Sequence, residues 1–320
     1  MDNINFSIII PHYNSPDTLK KLLDTIPSDK KDIQIIVVDD RSDDRTEELN
    51  AMRKDGKYPH VDFYRNNKGT KGPGTCRNIG IKHATGKWLI FADADDMFTE
   101  DFYSAVSEYA DSDAEIVYFN AVSIRDDGSA GERHKCVQHA ISSYIKDKSR
   151  YNELKLMTDC VVPWAKMVSR DFVNDKHIRF GDMMVSEDVV FCIKGGISAK
   201  KIMASEKVIY CVSEGSSLTY SYDKEKNREN ISTNNRVFIW MYKYLKDNLS
   251  RDDWKMLGLN GNMRVIDAIQ RDYGMINILK MIIEFEISGV KAIDIKGMRL
   301  SNFKNRISEL IKNRKRIAGR

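Results

Sequence analysis

The stretch Trp88-Leu-Ile-Phe-Ala-Asp-Ala-Asp-Asp-Met97 decides how the rest of the chain is read. It is a short apolar run that stops abruptly at three carboxylates, Asp93, Asp95 and Asp96. An apolar run of this length, closed by polar residues, has the pattern of a buried strand in an α/β sheet. Ligands of such sheets bind beyond the carboxyl ends of the strands, so the acids stand where a metal or substrate would sit. Taken alone, the run describes equally well a strand that happens to end in an acid-rich turn. Its neighbours have to decide.

On the N-terminal side two further apolar runs behave in the same way. Phe6-Ser-Ile-Ile-Ile10 leads into Pro11-His-Tyr-Asn14, and Ile33-Gln-Ile-Ile-Val-Val38 ends in Asp39-Asp40. Between them, Ser15 as N-cap and Pro16 at the first helical position open a helix with Leu19, Leu22, Leu23 and Ile26 on one side. A second helix opens at Asp43-Asp44, and Val61–Tyr64 is a short third strand. A glycine-rich loop, 66–74, precedes a helix over Thr75–Ala84. Strand and helix alternate at short intervals, which predicts a mainly parallel α/β sheet flanked by helices. Tyr13 with Asn14, Asp39 with Asp40, and Asp93 to Asp96 then converge on one carboxyl edge. Further on, the pattern predicts a helix at Phe102–Tyr109, strands at Ile116–Val122 and Val208–Val212, and a hairpin-like turn at Arg125–Ser129. Helices are expected at Val237–Leu249, Trp254–Tyr273 and Met275–Ile287.

With these stretches together, the chain resembles the inverting glycosyltransferases of family 2, which have the Rossmann-like GT-A fold. The residues that carry the resemblance are Ser7–Asn14, Ile36–Thr46, Gly74-Thr-Cys-Arg-Asn-Ile-Gly80, Phe91–Asp96 and Ser186-Glu187-Asp188. They run in order from about Phe6 to Thr219. The resemblance implies a metal-dependent enzyme moving a hexosyl or N-acetylhexosaminyl group from a UDP-sugar to a glycan or lipid-linked glycan, in bacterial surface polysaccharide synthesis. It divides the chain into a GT-A domain over 1–222, with a nucleotide half to about 98 and an acceptor half from about 99, and a helical region over 223–320.

The chemistry of the residues agrees. A nucleoside diphosphate leaving group gathers negative charge, which Mn²⁺ or Mg²⁺ neutralises, and such hard cations prefer carboxylate oxygens. Through the family's D-x-D motif, Asp95 would contact the metal directly, and Asp93 the ribose or the metal. Pro11 shapes the loop of the base, Tyr13 offers it an aromatic face, and Asp40 would accept from a uracil imide. Arg77 is placed for the uridine or pyrophosphate. Asp188 would be the base that deprotonates the acceptor hydroxyl, with Glu187 shaping the pocket. Trp164 and Lys166 match a segment that precedes the base, where an indole can stack on a sugar and a lysine can meet phosphate; both residues fit core and surface equally. Relatives carry a basic residue before a Ser-x-Thr, and here Ser217 and Thr219 stand without one.

Composition narrows the setting. The chain has 320 residues, 42% hydrophobic and 31% charged, enough for a sizeable core. No apolar window approaches a membrane span, and the N-terminus lacks the features of a signal peptide. Five scattered cysteines without a C-x-x-C, and histidines without ligand spacing, argue for reduced thiols in a cytoplasmic protein. The net charge of +4 hides an asymmetry: residues 289–320 hold ten Lys/Arg and two acids. Phe303, Ile307, Leu310, Ile311 and Ile317 add a helical apolar stripe, so 299–320 has the pattern of an interfacial helix on an anionic membrane, peripheral at the inner face of the plasma membrane. No aromatic-rich basic fold points to nucleic acid. Two other classes remain open at this point: a nucleotidyltransferase acting on sugar phosphates, and a catalytically silent, membrane-associated scaffold of the same fold. The first would want a glycine-rich loop after the first strand, where Pro11–Asn14 stands; the retained acids weigh against the second.

Overall fold

A computed structural model describes residues 4–54, 58, 60–67, 70–215 and 224–294. The chain divides into two compact units, Met1–Leu218 and Thr219–Arg320. The boundary expected at 222/223, Ser217 with Thr219, and the basic segment 299–320 all lie outside the described residues.

The first unit is built on one eight-stranded sheet. Strands β1 (Phe6–His12), β2 (Ile33–Asp39), β3 (Val61–Arg65) and β4 (Trp88–Phe91) are linked by α1 (Pro16–Asp24), α2 (Thr46–Lys54) and α3 (Pro73–His83). They lie in the order β3-β2-β1-β4 and pair with one another in parallel. Phe6, Ile8, Ile9, Ile10, Ile36, Val37, Val38 and all of β4 are fully buried. Apolar side chains on both faces of a strand require cover on both faces, which the crossover helices supply.

Past β4 the sheet becomes mixed. Its strands are β5 (Met97–Phe98), β6 (Ile116–Arg125), β7 (Lys166–Ser169) and β8 (Ile202–Glu214). The short β7 sits between β4 and β6 and runs antiparallel to both, β8 is parallel to β6, and β5 is antiparallel to β8. Helices α4 (Phe102–Ser107), α5 (Lys135–Lys146), α6 (Arg150–Asp159), α7 (Arg170–Asp175) and α8 (Glu187–Ser198) complete the unit. The expected turn forms: Gly128 N–H donates to Arg125 C=O, and Ile124 bridges Ala130 across it.

The second unit is helical, with α9 (Lys224–Asn248), α10 (Arg251–Leu257), α11 (Asn262–Gln270) and α12 (Met275–Ile287). The single helix expected over Trp254–Tyr273 is two, because Gly258 takes a left-handed conformation (φ 58°) and ends α10. Ile231, Phe238, Val265, Ala268, Ile278, Met281 and Phe285 form its core.

Candidate active site

Because β2, β1 and β4 are adjacent and parallel, their carboxyl ends share one edge. That edge carries Tyr13 and Asn14, Asp39 and Asp40, and the turn Asp93–Asp96.

At its centre is Arg77, on α3 and almost fully buried. Its Nη1 donates to Glu187 Oε1 at 2.6 Å, and its Nη2 to Asp93 Oδ1 at 2.5 Å. One guanidinium thus ties the acidic turn after β4 to the first turn of α8, using the fork geometry that only arginine offers. Burial works against its charge, but the carboxylates of Asp93, Glu187 and Asp188 outweigh that and raise its pKa. Its floor is aromatic: the guanidinium lies 5.2 Å from the Phe180 ring centre, and Phe180 stacks on Phe191 at 4.2 Å.

Three features bring α3 and α8 together. A Cβ on Gly74 would lie 2.5 Å from Gly181 O and 2.7 Å from Glu187 Cγ, so no other residue fits there unmoved. Asn78 pins the preceding segment, its Nδ2 donating to Phe180 C=O and its Oδ1 accepting from Phe180 N–H. Ser186, in left-handed conformation (φ 61°), turns the chain sharply into α8. Asp188 follows, half-buried, its Oδ1 accepting from Val189 N–H at 2.9 Å. Burial and the Glu187 charge push its carboxyl up to about 7, with Arg77 opposing them.

The three aspartates of the turn have different surroundings. Asp96 is buried; its Oδ1 accepts from Ser213 N–H at 2.8 Å, and it also bonds the Tyr210 hydroxyl. Burial and the Asp93 charge push it up to about 8. The Tyr210 hydroxyl in turn accepts from Asp93 N–H at 2.8 Å, so β8 clamps the turn from below. Asp93 is half-buried and held by Arg77. Asp95 is exposed, and among the described residues the only bond recorded to its carboxylate comes from its own amide. The protein around it and the Asp93 charge raise its pKa, while Arg133 lowers it.

Beyond β2, Asp40 accepts from Asn66 Nδ2 at 2.8 Å and from Gly72 N–H at 2.7 Å. Among the described residues, Oδ1 of the fully buried Asn66 accepts no hydrogen bond. Asp39 faces the other way, bonded to Ser42 Oγ at 2.5 Å and His12 Nδ1 at 3.3 Å. Tyr13 is exposed and donates to Asp43 at 3.1 Å, and Lys71 Nζ lies 3.7 Å from its ring centre.

Comparison with known proteins identifies the family. The model of the family "Glycosyl transferase family 2" matches residues 7–175, more than half of the chain. The chain belongs to that family. This family 2 member is 29% identical over 212 residues to the poly(ribitol-phosphate) beta-glucosyltransferase of Bacillus spizizenii, covering 62% of this chain and 30% of that protein. It is 25% identical over 209 residues to the poly(ribitol-phosphate) beta-N-acetylglucosaminyltransferase TarS of Staphylococcus aureus, covering 62% of this chain and 34% of TarS. The chain thus spans about a third of the length of these relatives. The crystal structure of S. aureus TarS 1-349 with UDP-GlcNAc superposes with a TM-score of 0.59 at 20% identity, over 85% of this chain and 73% of that one. The mannosyltransferase PcManGT of Pyrobaculum calidifontis, with GDP-Man and Mn²⁺, superposes at 0.56 and 13% identity, over 96% of this chain and 81% of that one. The fold is GT-A, as the resemblance implied.

In this family 2 chain, Asp93, Arg77, Glu187 and Asp188 come together as one cluster, with Asp95 beside it; Pro11, Tyr13 and Asp40 line the adjoining edge. Trp164 and Lys166 are placed elsewhere. Trp164 is buried and stacks on Tyr210 at 5.6 Å, so it supports the acidic turn from inside. Lys166 is also buried, because β7 lies between β4 and β6 and is covered on both faces; its Nζ donates to Cys160 C=O at 2.6 Å and lies 4.9 Å from the Tyr118 ring centre. Both side chains are almost fully covered by protein. Asn66, Tyr210, Asn78 and Arg133 received no role from the sequence, although Asn66 stood in the glycine-rich loop, Asn78 in the Gly74–Gly80 segment and Tyr210 in the strand expected at Val208–Val212.

No group of three or more metal-ligating side chains occurs among the described residues. The donor set nevertheless fits a hard divalent cation shared with a diphosphate: two carboxylates two residues apart, one of them exposed, with ligand oxygens left to the substrate.

Proposed function

We propose that this chain transfers a sugar from a UDP-sugar to a hydroxyl of a glycan or lipid-linked glycan, with inversion, in the assembly of a bacterial surface polysaccharide. The observation that carries the reading is the double ion pair of Arg77, which links the D-x-D turn to the base-bearing turn of α8. Relatives named for poly(ribitol-phosphate) and succinoglycan synthesis support the polysaccharide role. The family leaves no observation in favour of nucleotidyl transfer.

In this mechanism Asp188 accepts the proton of the acceptor hydroxyl as its oxygen bonds to the anomeric carbon. The bond from that carbon to the diphosphate breaks on the opposite face, and UDP leaves. A carboxyl poised near 7 suits a base working at neutral pH. Arg77 fixes Asp93 and Glu187 so that donor and base keep their spacing. Asp40 and Oδ1 of Asn66 offer buried acceptors to the N–H edge of a base. Tyr13 takes the base face once Lys71 yields it. Asp95 and Asp93 would hold Mn²⁺ or Mg²⁺, which neutralises the leaving diphosphate. Arg133, within electrostatic reach of Asp95, supplies a cation at the same place.

A panel of nucleotide sugars with Mn²⁺, followed by thermal shift and product analysis, tests the reading. A cognate UDP-sugar should raise the melting temperature through linkage and be consumed. Stabilisation by no uridine donor would reject it.

A further inference from the structure

The second unit has an unusual helix. At about 100° per residue, the buried side chains of α12 (Ile278, Met281, Phe285) face one way. Met275, Ile276, Leu279, Ile283 and Ile287 fall together on an arc of roughly 120° on the other side. These five are between 54% and 82% exposed. Within that arc stands one acid, Glu286, whose Oε1 accepts from Ala292 N–H at 2.9 Å. Lys280 and Glu284 lie at the edge. A helix of a water-soluble unit is ordinarily apolar on the core side alone. A contiguous second stripe marks a surface that meets another apolar phase.

Charge identifies that phase. The segment 289–320 begins two residues after α12 ends and carries ten Lys/Arg against two acids. A second copy docking on this face would bring a second such segment with it, and the two would repel. An anionic lipid surface attracts the segment and receives the stripe. We propose that the solvent-facing stripe of α12 is a membrane-docking face, which inserts shallowly into an anionic phospholipid surface. No described helix is long and apolar enough to cross a membrane, so the contact is peripheral. The inference goes beyond the sugar-transfer reading and does not depend on it.

Vesicle co-sedimentation of the full chain tests this face, with phosphatidylglycerol–phosphatidylcholine vesicles set against phosphatidylcholine alone. The chain should bind the anionic vesicles far better, and binding should weaken with salt. The triple change Ile276→Ser, Leu279→Ser, Ile283→Ser should lower partitioning about tenfold or more, since each side chain gives up several methylene groups of insertion. Its thermal midpoint, measured alongside, should stay close to the parent value, because the three side chains are exposed. Unchanged vesicle binding by the triple variant would overturn the proposal, leaving any binding to the basic segment. So would equal binding to neutral vesicles, or a parent dimer that the triple change converts to monomer without any lipid binding.

Discussion

Arg77 and Asp93, sixteen residues apart on different elements, are joined at 2.5 Å, and the other arm of the same guanidinium holds Glu187 at 2.6 Å. The pair lies where the parallel half of the sheet meets the first turn of α8. Arg77 and Glu187, almost fully buried, are tolerated there because they are paired, and the pairing fixes the spacing between the turn after β4 and the first turn of α8.

Arg77→Ala should therefore cost stability as well as activity. It leaves Glu187 buried without its partner, and Asp93 partly so. A loss of about 3 kcal/mol in urea denaturation is expected, at the low end for broken buried pairs because Asp93 is about one third open. Arg77→Lys should recover only part of it, since an ammonium cannot present two parallel donors.

Asp95→Asn should behave in the opposite way. Among the described residues, the Asp95 carboxylate bonds only its own amide, so unfolding free energy should change by less than about 0.5 kcal/mol. Transfer should fall by about 100-fold, the scale of losing a few kcal/mol of charge stabilisation. Added Mn²⁺ should restore part of the rate. A variant with full transfer and EDTA-insensitive turnover would remove Asp95 from the metal.

Gly74→Ala inserts a methyl group where Gly181 O is 2.5 Å and Glu187 Cγ 2.7 Å away. Strain of about 1–3 kcal/mol is expected from such overpacking. The shift should fall on the first turn of α8, so kcat should drop with less change in the affinity for UDP alone. Isothermal titration with UDP beside steady-state rates separates the two effects.

The pH dependence follows from Asp188. Burial and the Glu187 charge hold its carboxyl near 7, and only the deprotonated form can take a proton. The rate should rise tenfold per pH unit below about 7 and level off above it. The sign for stability is reversed: the folded chain binds this proton more tightly than the unfolded chain, so stability from this group is full below about 4 and is lost as pH rises through 7. Asp188→Asn should abolish transfer and flatten this part of the stability profile. Full transfer by the variant would place the base elsewhere.

Some of these residues could be placed from the sequence and some could not. Asp93, Asp95 and Asp96 are equivalent in the string, yet one is bridged, one exposed and one clamped by β8, because Tyr210 and Ser213 reach them from more than a hundred residues away. Trp164 and Lys166 stand in a motif-like segment, but β7 is covered on both faces because it lies between β4 and β6, a placement that four residues of sequence do not show. The stripe of α12 was hidden for a related reason: a helix apolar on two sides has no single face that a periodic pattern can point to.

The sequence by itself determined the first half of the sheet and its functional edge. Runs such as Ile33–Val38 and Trp88–Phe91 are local, their apolarity demands burial on both faces, and each ends in acids whose position follows from the strand's direction. The family motifs added the chemistry. Only the tertiary structure decided the antiparallel insertion of β7, the burial of Trp164 and Lys166, and the meeting of Arg77 with Glu187 across 110 positions. Those facts depend on which surfaces pack together, and pairing between distant side chains leaves no periodic trace along the chain.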